Sequence, residues 1–312
     1  MELEKKNKRN IPWVVWYIVI TAIAQYFLIE FKEDIKFIDA NIFILLGAPN
    51  SVNIYAGQYW GVLTNNFLHV YLSQLIINVI GIIFFGYYIE KRIGFIKFSL
   101  IVIVGSIIPS IIQLNLANQP GIGLSGVNFT LFGYILAKSM RFENFKMRYI
   151  NLILLIMIGI IIYFNIYNLY FEDVYRTEAM AFGLIIGLVI GFTSPWKKWV
   201  QYGMLFNIII LSVITLFYAP WSSEWLVYKG VTEHQNKHYK KAKIWYKKAL
   251  KLDPENIQAK DNLELLRLDD LKWKAYKAHM KEQYLKAKAY YNQILEIDPN
   301  DSWAKEGLKE LK

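Results

Sequence analysis

The stretch GLSGVNFTLFGY, residues 123–134, places Ser125 between two glycines at the start of an apolar, helical-looking segment. Small residues of this kind let membrane helices pack closely. The same residues also leave space around a serine that acts as a nucleophile. The stretch alone is compatible with both roles, so the sequence around it has to decide between them.

Long apolar runs surround this stretch and continue to about Pro220. A helix needs about 20 mostly apolar residues to cross a bilayer. We therefore expect an all-α polytopic membrane bundle, in which the short, glycine-bearing fourth and sixth spans are inner helices. The first run lacks a small-residue cleavage site, which indicates a retained helix. The seven predicted spans are residues 11–31, 71–89, 95–114, 121–137, 150–170, 179–193 and 199–218.

Basic residues alternate between the connections and predict the orientation of the chain. The N-terminal KKNKRN and the segments at 90–92, 138–148 and 195–198 are basic, whereas those near Pro120 and Asp173 are not. We expect the N-terminus inside the cell and the C-terminus outside. The formal net charge of +10 comes from the inner loops and a Lys-rich tail, so nucleic-acid binding is not expected. There is no cysteine and hence no disulfide.

The tail carries an internal repeat, because residues 239–256 (YKKAKIWYKKALKLDPEN) match residues 284–301 (YLKAKAYYNQILEIDPND). The Asp-Pro pair ends one helix before another begins. The pattern resembles the tetratricopeptide repeat, whose usual period is 34 residues. Here the copies lie further apart, with an extra charged helix-like stretch at 261–271 between them. The tail is expected either to bind a protein or peptide partner or to form a helical cap.

Polar side chains also occur inside the second apolar run. Gln74 and Asn78 share one helix face at i and i+4, and His69 lies at the entry to that run. Unpaired amides are costly in hydrocarbon, so polar groups within spans usually mark a site or a helix contact. Asn78 is suited to donate a hydrogen bond to a developing oxyanion.

Together these motifs resemble the rhomboid family of intramembrane serine proteases over roughly residues 11–195. Gly123 to Gly126 match the Gly-x-Ser-Gly motif that opens the family's fourth helix. The order and spacing of the other matching residues also agree with the family. These are Trp60, Phe67, His69 and Asn78, followed by Gly86, Glu90 and Gly94 in the Gly-x-x-x-Glu-x-x-x-Gly pattern. A seventh helix followed by an external repeat module is similar to a subset of bacterial rhomboids.

The resemblance implies a mechanism and also a departure from it. Ser125 would attack a peptide carbonyl, with a histidine of the sixth helix as general base and Phe129 stacked on it. The sixth-helix pattern Ala-His-x-x-Gly-x-x-x-Gly reads Ala179, Met180, Gly183 and Gly187 here, so the histidine is replaced by methionine. A thioether is a weak acceptor without useful basicity, and a serine without a base is a poor nucleophile.

Two further positions depart from the family pattern. The second-helix histidine is Gln74, which can still donate, and the arginine that usually follows the loop tryptophan is Gly61. We therefore expect a catalytically impaired rhomboid that binds transmembrane segments of membrane-protein clients. The alternative is an active intramembrane serine endopeptidase with Ser125 as nucleophile. A small-molecule carrier or channel is disfavoured, because the spans lack a pathway of charged residues.

The predicted organisation has four parts: a basic cytoplasmic N-terminus (1–10), a rhomboid-like membrane core (11–197), a seventh helix (198–220) and a repeat domain (221–312). The site is expected to need neither a cofactor nor a metal. The expected partners are the lipid bilayer, membrane-protein substrates or clients, and a partner of the repeats. The expected location is a bacterial-type plasma membrane.

Overall fold

A computed structural model describes residues 11–33, 44, 47–118, 120–140, 151–153, 155–159, 162, 178–192 and 198–311. The chain divides into two compact units, Met1–Ala219 and Pro220–Lys312. The described residues are helical with no strand, which confirms the all-α prediction for that part of the chain.

The first unit is built from apolar helices that carry the chain back and forth. A 3₁₀ turn, Asn65–Phe67, precedes the helix Leu72–Gly81. A π-helical stretch, Ile82–Gly86, joins that helix to the next one, Tyr87–Ile93. The helices are α1 (Trp13–Glu33), α2 (Ser51–Tyr55), α3 (Gly61–Thr64), α4 (Leu72–Gly81), α5 (Tyr87–Ile93), α6 (Phe95–Ala117), α7 (Ser125–Ser139), α8 (Glu178–Gly191) and α9 (Lys198–Phe217).

Among the described residues, four helical segments are long and apolar enough to cross a membrane: Trp13–Glu30, Leu72–Ile93, Phe95–Ala117 and Trp199–Phe217. They match the first, second, third and seventh predicted spans. The fourth and sixth spans form α7 and α8, which are shorter. The fifth predicted span, 150–170, lies largely outside the described residues. The protein is therefore a multi-pass membrane protein.

The helices α7 and α8 run parallel and touch through glycines. A Cβ atom added to Gly183 would lie 2.3 Å from the Gly126 carbonyl oxygen, and one added to Gly187 would lie 2.0 Å from that of Thr130. One turn further on, a Cβ at Gly191 would lie 2.7 Å from the Tyr134 carbonyl oxygen. Small residues at i, i+4 and i+8 let two membrane helices approach to backbone contact. We call this contact the glycine seam.

A buried carboxylate ties α1 to the second span. Glu90, only 4% exposed, accepts hydrogen bonds from the backbone N–H groups of Val14 (3.1 Å) and Val15 (3.0 Å). These two donors belong to the first turn of α1 and so have no partner within their own helix. Glu90 therefore caps α1, with the favourable polarity of a negative charge at a helix N-terminus.

The second unit is a set of antiparallel helices: α10 (Ser223–Gln235), α11 (Tyr239–Leu252), α12 (Ile257–Met280), α13 (Tyr284–Ile297) and α14 (Ser302–Glu310). The repeated sequences form α11 and α13, which begin 45 residues apart. Asp253 and Asp298 follow these helices, and their carboxylates accept from the backbone N–H two residues later, at 3.2 and 3.0 Å. The Asp-Pro pairs thus end the helices as predicted.

The prediction of an extra charged, helix-like stretch at 261–271 is confirmed. These residues lie in the middle of α12, which runs unbroken from Ile257 to Met280. The extra length over a 34-residue period is 11 residues, or about three helical turns. The insertion therefore lengthens one helix and returns the same face to the next repeat, and no breaker residue interrupts it.

Each repeat has a buried tyrosine packed on a glycine. A Cβ at Gly230 would lie 2.3 Å from Tyr246, and a Cβ at Gly307 would lie 2.3 Å from Tyr291. The tyrosine hydroxyls lie 3.5 Å from His234 Nδ1 and 2.9 Å from His279 Nδ1, each twelve residues earlier. The histidine–tyrosine pair is thus repeated, whereas the glycine comes before the tyrosine in the first copy and after it in the second.

The glycine seam predicts a specific sensitivity to added methyl groups. We expect Gly187→Ala to destabilise the membrane unit by about 1–3 kcal/mol, since the new Cβ would overlap the Thr130 carbonyl and force the helices apart. Thermal unfolding in detergent measures the effect. Gly203→Ala on α9 is the control, because nothing lies within 4 Å of its Cβ position. Equal melting temperatures for the two variants would contradict the seam.

The repeat unit is predicted to lose stability as pH rises. Burial raises the pKa of Glu224 to about 7. The hydrogen bond from Asn256 lowers this pKa, and the negative charge of Asp253 raises it further. One carboxylate oxygen accepts from Asn256 at 2.6 Å, while the other is buried and has no hydrogen-bond partner among the described residues. Because the folded-state pKa exceeds the ordinary value of 4.5, the free energy of unfolding should fall between about pH 4.5 and 7.

Glu224→Gln should remove this part of the pH dependence. At pH 8 we expect the variant of residues 220–312 to be more stable than the wild type by about 1–3 kcal/mol, and at pH 4.5 about equal. Urea unfolding followed by circular dichroism measures both values. Glu264→Gln, at an exposed position, is the control and should follow the wild type. Parallel pH curves for Glu224→Gln and wild type would disprove the prediction.

Candidate functional site

Ser125 is the first residue of α7, and the backbone turns sharply just before it. Gly123 has φ +89°, a conformation that L side chains rarely adopt. This turn explains why the helix begins at Ser125 and not at Gly121, where the predicted span starts. The side chain of Ser125 is 9% exposed, and its hydroxyl makes no hydrogen bond to the described residues.

Two amides of α4 lie directly against this turn. A Cβ on Gly123 would lie 2.7 Å from Gln74 Nε2 and 3.5 Å from Asn78 Nδ2. Gln74 Nε2 donates to the Ile122 carbonyl at 3.4 Å, and its Oε1 accepts from the Val70 N–H at 3.3 Å. The structure therefore brings Gln74 and Asn78 together beside Gly123, two residues before Ser125. Only glycine at position 123 leaves room for both amides.

Asn128, which the sequence analysis did not single out, orients Asn78. Its Nδ2 donates to the Asn78 backbone carbonyl and to Asn78 Oδ1, both at 3.0 Å. Asn78 Oδ1 is thus turned toward Asn128, which leaves its Nδ2 group on the side of Gly123. Gly81 makes room for this pair, because a Cβ there would lie 2.7 Å from Asn128 Oδ1. A second amide one turn after Ser125 was the available sequence signal.

His69 joins the entry loop to the start of α7. It is 2% exposed, and its Nδ1 lies 3.0 Å from the Phe67 carbonyl. A carbonyl only accepts, so Nδ1 carries the proton, and Nε2 then accepts from the Leu124 N–H at 3.4 Å. Burial lowers the pKa of His69 to about 4, although the Phe67 hydrogen bond raises it. Both ring nitrogens are engaged, so this imidazole has no free lone pair for Ser125.

The entry loop makes a second contact with the turn. The Gly123 N–H donates to the Asn65 carbonyl at 3.2 Å. Asn66 donates to the Val62 carbonyl at 3.0 Å and to the Ser110 hydroxyl at 3.1 Å. Neither asparagine was singled out from the sequence. Together with His69 they fix the loop against α6 and α7.

Met180 lies beside the start of the glycine seam. A Cβ at Gly126 would lie 3.4 Å from the Ala179 carbonyl oxygen and 3.5 Å from its Cβ. The residues next to this contact, Ser125 and Met180, are therefore at the same end of the two helices. Met180 is half-buried and packs on the core cluster that contains Leu124 and Phe129. A thioether, with no useful basicity, occupies this position.

Tight packing in the entry loop explains why position 61 is a glycine. A Cβ there would lie 2.4 Å from Pro49 Cγ and 3.1 Å from Ile54 Cδ1. The space that a larger residue would need is filled by the proline ring. The neighbouring Trp60 is 52% exposed. The loop therefore presents an aromatic ring on its surface next to the tightly packed contact between Gly61 and Pro49.

The chain is similar to known proteins in both of its units. Residues 56–197 match the Rhomboid domain family, and residues 223–256 and 280–301 match tetratricopeptide repeats. Over residues 56–197 the chain is similar to rhomboid domains. The rhomboid pattern places the serine nucleophile at Ser125 and the general-base histidine at Met180, and these roles stay predictions for this chain.

Several rhomboid proteases are similar to this chain. Rhomboid protease GluP of Bacillus subtilis is 25% identical over 160 residues, which cover 51% of this chain and 31% of that protein. Rhomboid protease GlpG of Klebsiella pneumoniae is 25% identical over 134 residues, 43% of this chain and 46% of that protein. GlpG of Salmonella choleraesuis is 24% identical over 128 residues, 41% and 44% of the two chains. The chain therefore spans less than half of these relatives.

The packing at Gly61 predicts that an arginine cannot simply be restored there. We expect Gly61→Arg to destabilise the rhomboid domain by about 1–3 kcal/mol, because its side chain would collide with Pro49. Thermal unfolding in detergent measures this. Combining it with Pro49→Ala should recover part of the loss, with Pro49→Ala alone as the control for the cycle. Additive effects of the two substitutions would show that residues 49 and 61 do not compete for space.

Proposed function

We propose that this rhomboid domain binds transmembrane segments of membrane-protein clients and hydrolyses them poorly or not at all. The observation that carries the proposal is Met180 at the position of the general base, at the same end of the glycine seam as Ser125. Loss of the serine or histidine from a hydrolase triad lowers turnover by about a millionfold. Gln74 and Asn78 keep amide donors beside Gly123, which supports binding of a peptide carbonyl without efficient attack on it.

No other histidine is available to replace the base. The chain has four histidines, of which only His69 belongs to the membrane unit. Its Nδ1 proton and its Nε2 lone pair are both used in holding the loop to α7. Withdrawing Nε2 to serve Ser125 would leave the buried Leu124 N–H without an acceptor, which carries the cost of an unpaired buried donor.

A cleavage assay tests the missing base. We expect purified wild-type protein in proteoliposomes to cleave a generic rhomboid substrate no faster than Ser125→Ala does. Met180→His should produce cleavage that disappears again in the Met180→His, Ser125→Ala double variant. Met180→Leu, which keeps the apolar packing, is the control and should stay inactive. Wild-type cleavage that Ser125→Ala abolishes would overturn the proposal and establish the active endopeptidase. If Met180→His stays inactive, the defect extends to Gln74 or Gly61.

Client binding needs a separate measurement, because an inactive protein need not bind clients. The chain has no cysteine, so Ser125→Cys provides a single thiol at the site. A client with one cysteine in its transmembrane segment should form a disulfide with it in membranes. Leu211→Cys, at an exposed position on α9, is the matched control. Equal cross-linking at both positions would indicate random encounter and contradict binding at the site.

We propose the orientation that the charges predict, with the N-terminus in the cytoplasm and the repeats outside, where they recruit or present partner proteins. The basic inner connections support this orientation. Protease added to intact cells should digest the tail and leave the rhomboid domain. A tail that is digested only after the membrane is opened would place the repeats inside.

A further inference from the structure

The outer surface of α11 is a basic face with no assigned role. This helix carries six lysines and no acidic residue. All six are exposed, namely Lys240, Lys241, Lys243, Lys247, Lys248 and Lys251. At about 100° per residue they cover a continuous half of the helix perimeter. We call this the lysine face.

Apolar side chains lie among the lysines. Ile244, at the centre of the face, is 55% exposed, and Leu252 at its edge is 51% exposed. The opposite side of the helix carries the buried residues Ala242, Tyr246 and Ala249, which form the repeat core. The lysine face is therefore an amphipathic surface of its own, separate from the surface that holds the repeat together.

Comparison with α13 shows that the repeat fold does not need these lysines. The two helices occupy equivalent places, with Ala242 matching Ala287 and Tyr246 matching Tyr291, all of them buried. Four of the six lysines have no basic counterpart in α13. The residues 45 positions after Lys240, Lys247, Lys248 and Lys251 are Leu285, Asn292, Gln293 and Glu296.

The charges of the lysine face are also unpaired within the described part of the chain. Elsewhere in the unit, lysines reach carboxylates: Lys260 meets Glu255 at 2.9 Å and Lys274 meets Asp270 at 2.6 Å. None of the six lysines forms such a pair with a described residue. Lys248 lies 4.5 Å from the centre of the Trp245 ring. The lysine face therefore presents unneutralised positive charge to its surroundings, which is complementary to an anionic surface.

We propose that the lysine face binds anionic lipid headgroups of the membrane that α9 crosses. Lysines that alternate with exposed aliphatic and aromatic side chains are typical of helices that lie in a membrane interface. Basic clusters beside a membrane span are attracted to acidic lipids. Only 21 residues separate Phe217 from Tyr239, so α11 stays within roughly 75 Å of the span even if the link is fully extended. This tether favours lipid over a freely diffusing acidic protein. The proposal is independent of catalysis at Ser125.

Site-specific fluorescence on the full-length protein tests the proposal. Since the chain has no cysteine, Leu252→Cys can carry one polarity-sensitive dye, and Ile244 remains in place. The labelled protein is inserted into nanodiscs of phosphatidylcholine alone or with about one third phosphatidylglycerol. We expect a blue shift that requires phosphatidylglycerol and is lost in high salt, because exposed charges are screened. A dye at Leu285→Cys on α13 should show no lipid-dependent shift.

Matched charge variants separate the lysine face from overall charge. Lys247→Asn, Lys248→Gln and Lys251→Gln together should reduce the shift to less than about half. The first two changes copy α13, which shows that they are compatible with the repeat fold. Lys286→Gln, Lys288→Gln and Lys305→Gln remove the same charge elsewhere and should leave the shift unchanged. Equal loss in both triple variants, or no dependence on anionic lipid, would overturn the proposal. A shift that appears only when poly-glutamate is added would assign the face to an acidic protein instead.

Discussion

The backbones of α7 and α8 are in direct contact, and the geometry of the site depends on this contact. Peptide groups of one helix lie where side chains of the other would be, at Gly183, Gly187 and Gly191. This packing leaves little freedom for one helix to rotate or slide along the other, because they are in contact at three successive turns. The positions of Ser125 and Met180 are therefore set by residues one to three turns away from them. The seam fixes these positions whichever side chain residue 180 carries.

Hydrogen bonds between the entry loop, α4 and α7 hold the neighbourhood of Ser125 in place. Gln74 bridges Val70 and Ile122, His69 bridges Phe67 and Leu124, and Asn128 orients Asn78. Groups fixed in this way need little rearrangement when a ligand arrives, which lowers the entropic cost of binding. His69 Nε2 in particular already accepts from the Leu124 N–H, so its lone pair is not free for another donor.

Much of this arrangement could be predicted from the sequence, because apolar run length and the Gly-x-Ser-Gly motif are local signals. The start of α7 at Ser125 could not, since it depends on the positive φ of Gly123 against the Gln74 amide. Asn128 was missed because its partner, Asn78, lies 50 residues earlier in the chain, and the sequence does not show which amides meet. In the tail, the repeated Asp-Pro pairs and the helix-like stretch at 261–271 were both informative, and the structure adds that this stretch belongs to one unbroken helix. Long-range pairing, and not helix propensity, accounts for most of the difference.

The long helix α12 has a consequence for how such a tail can change. An insertion of 11 residues advances a helix by about 16 Å and turns it by only about 20° beyond three full revolutions. The repeats on either side of it can therefore be moved apart along a rigid axis while they keep facing the same way. Insertions of other lengths would rotate one repeat out of line with its neighbour. A helical insertion therefore keeps the two repeats aligned only when its length is close to a whole number of turns. Insertions of such lengths change the distance between the repeats and leave their surfaces facing the same way.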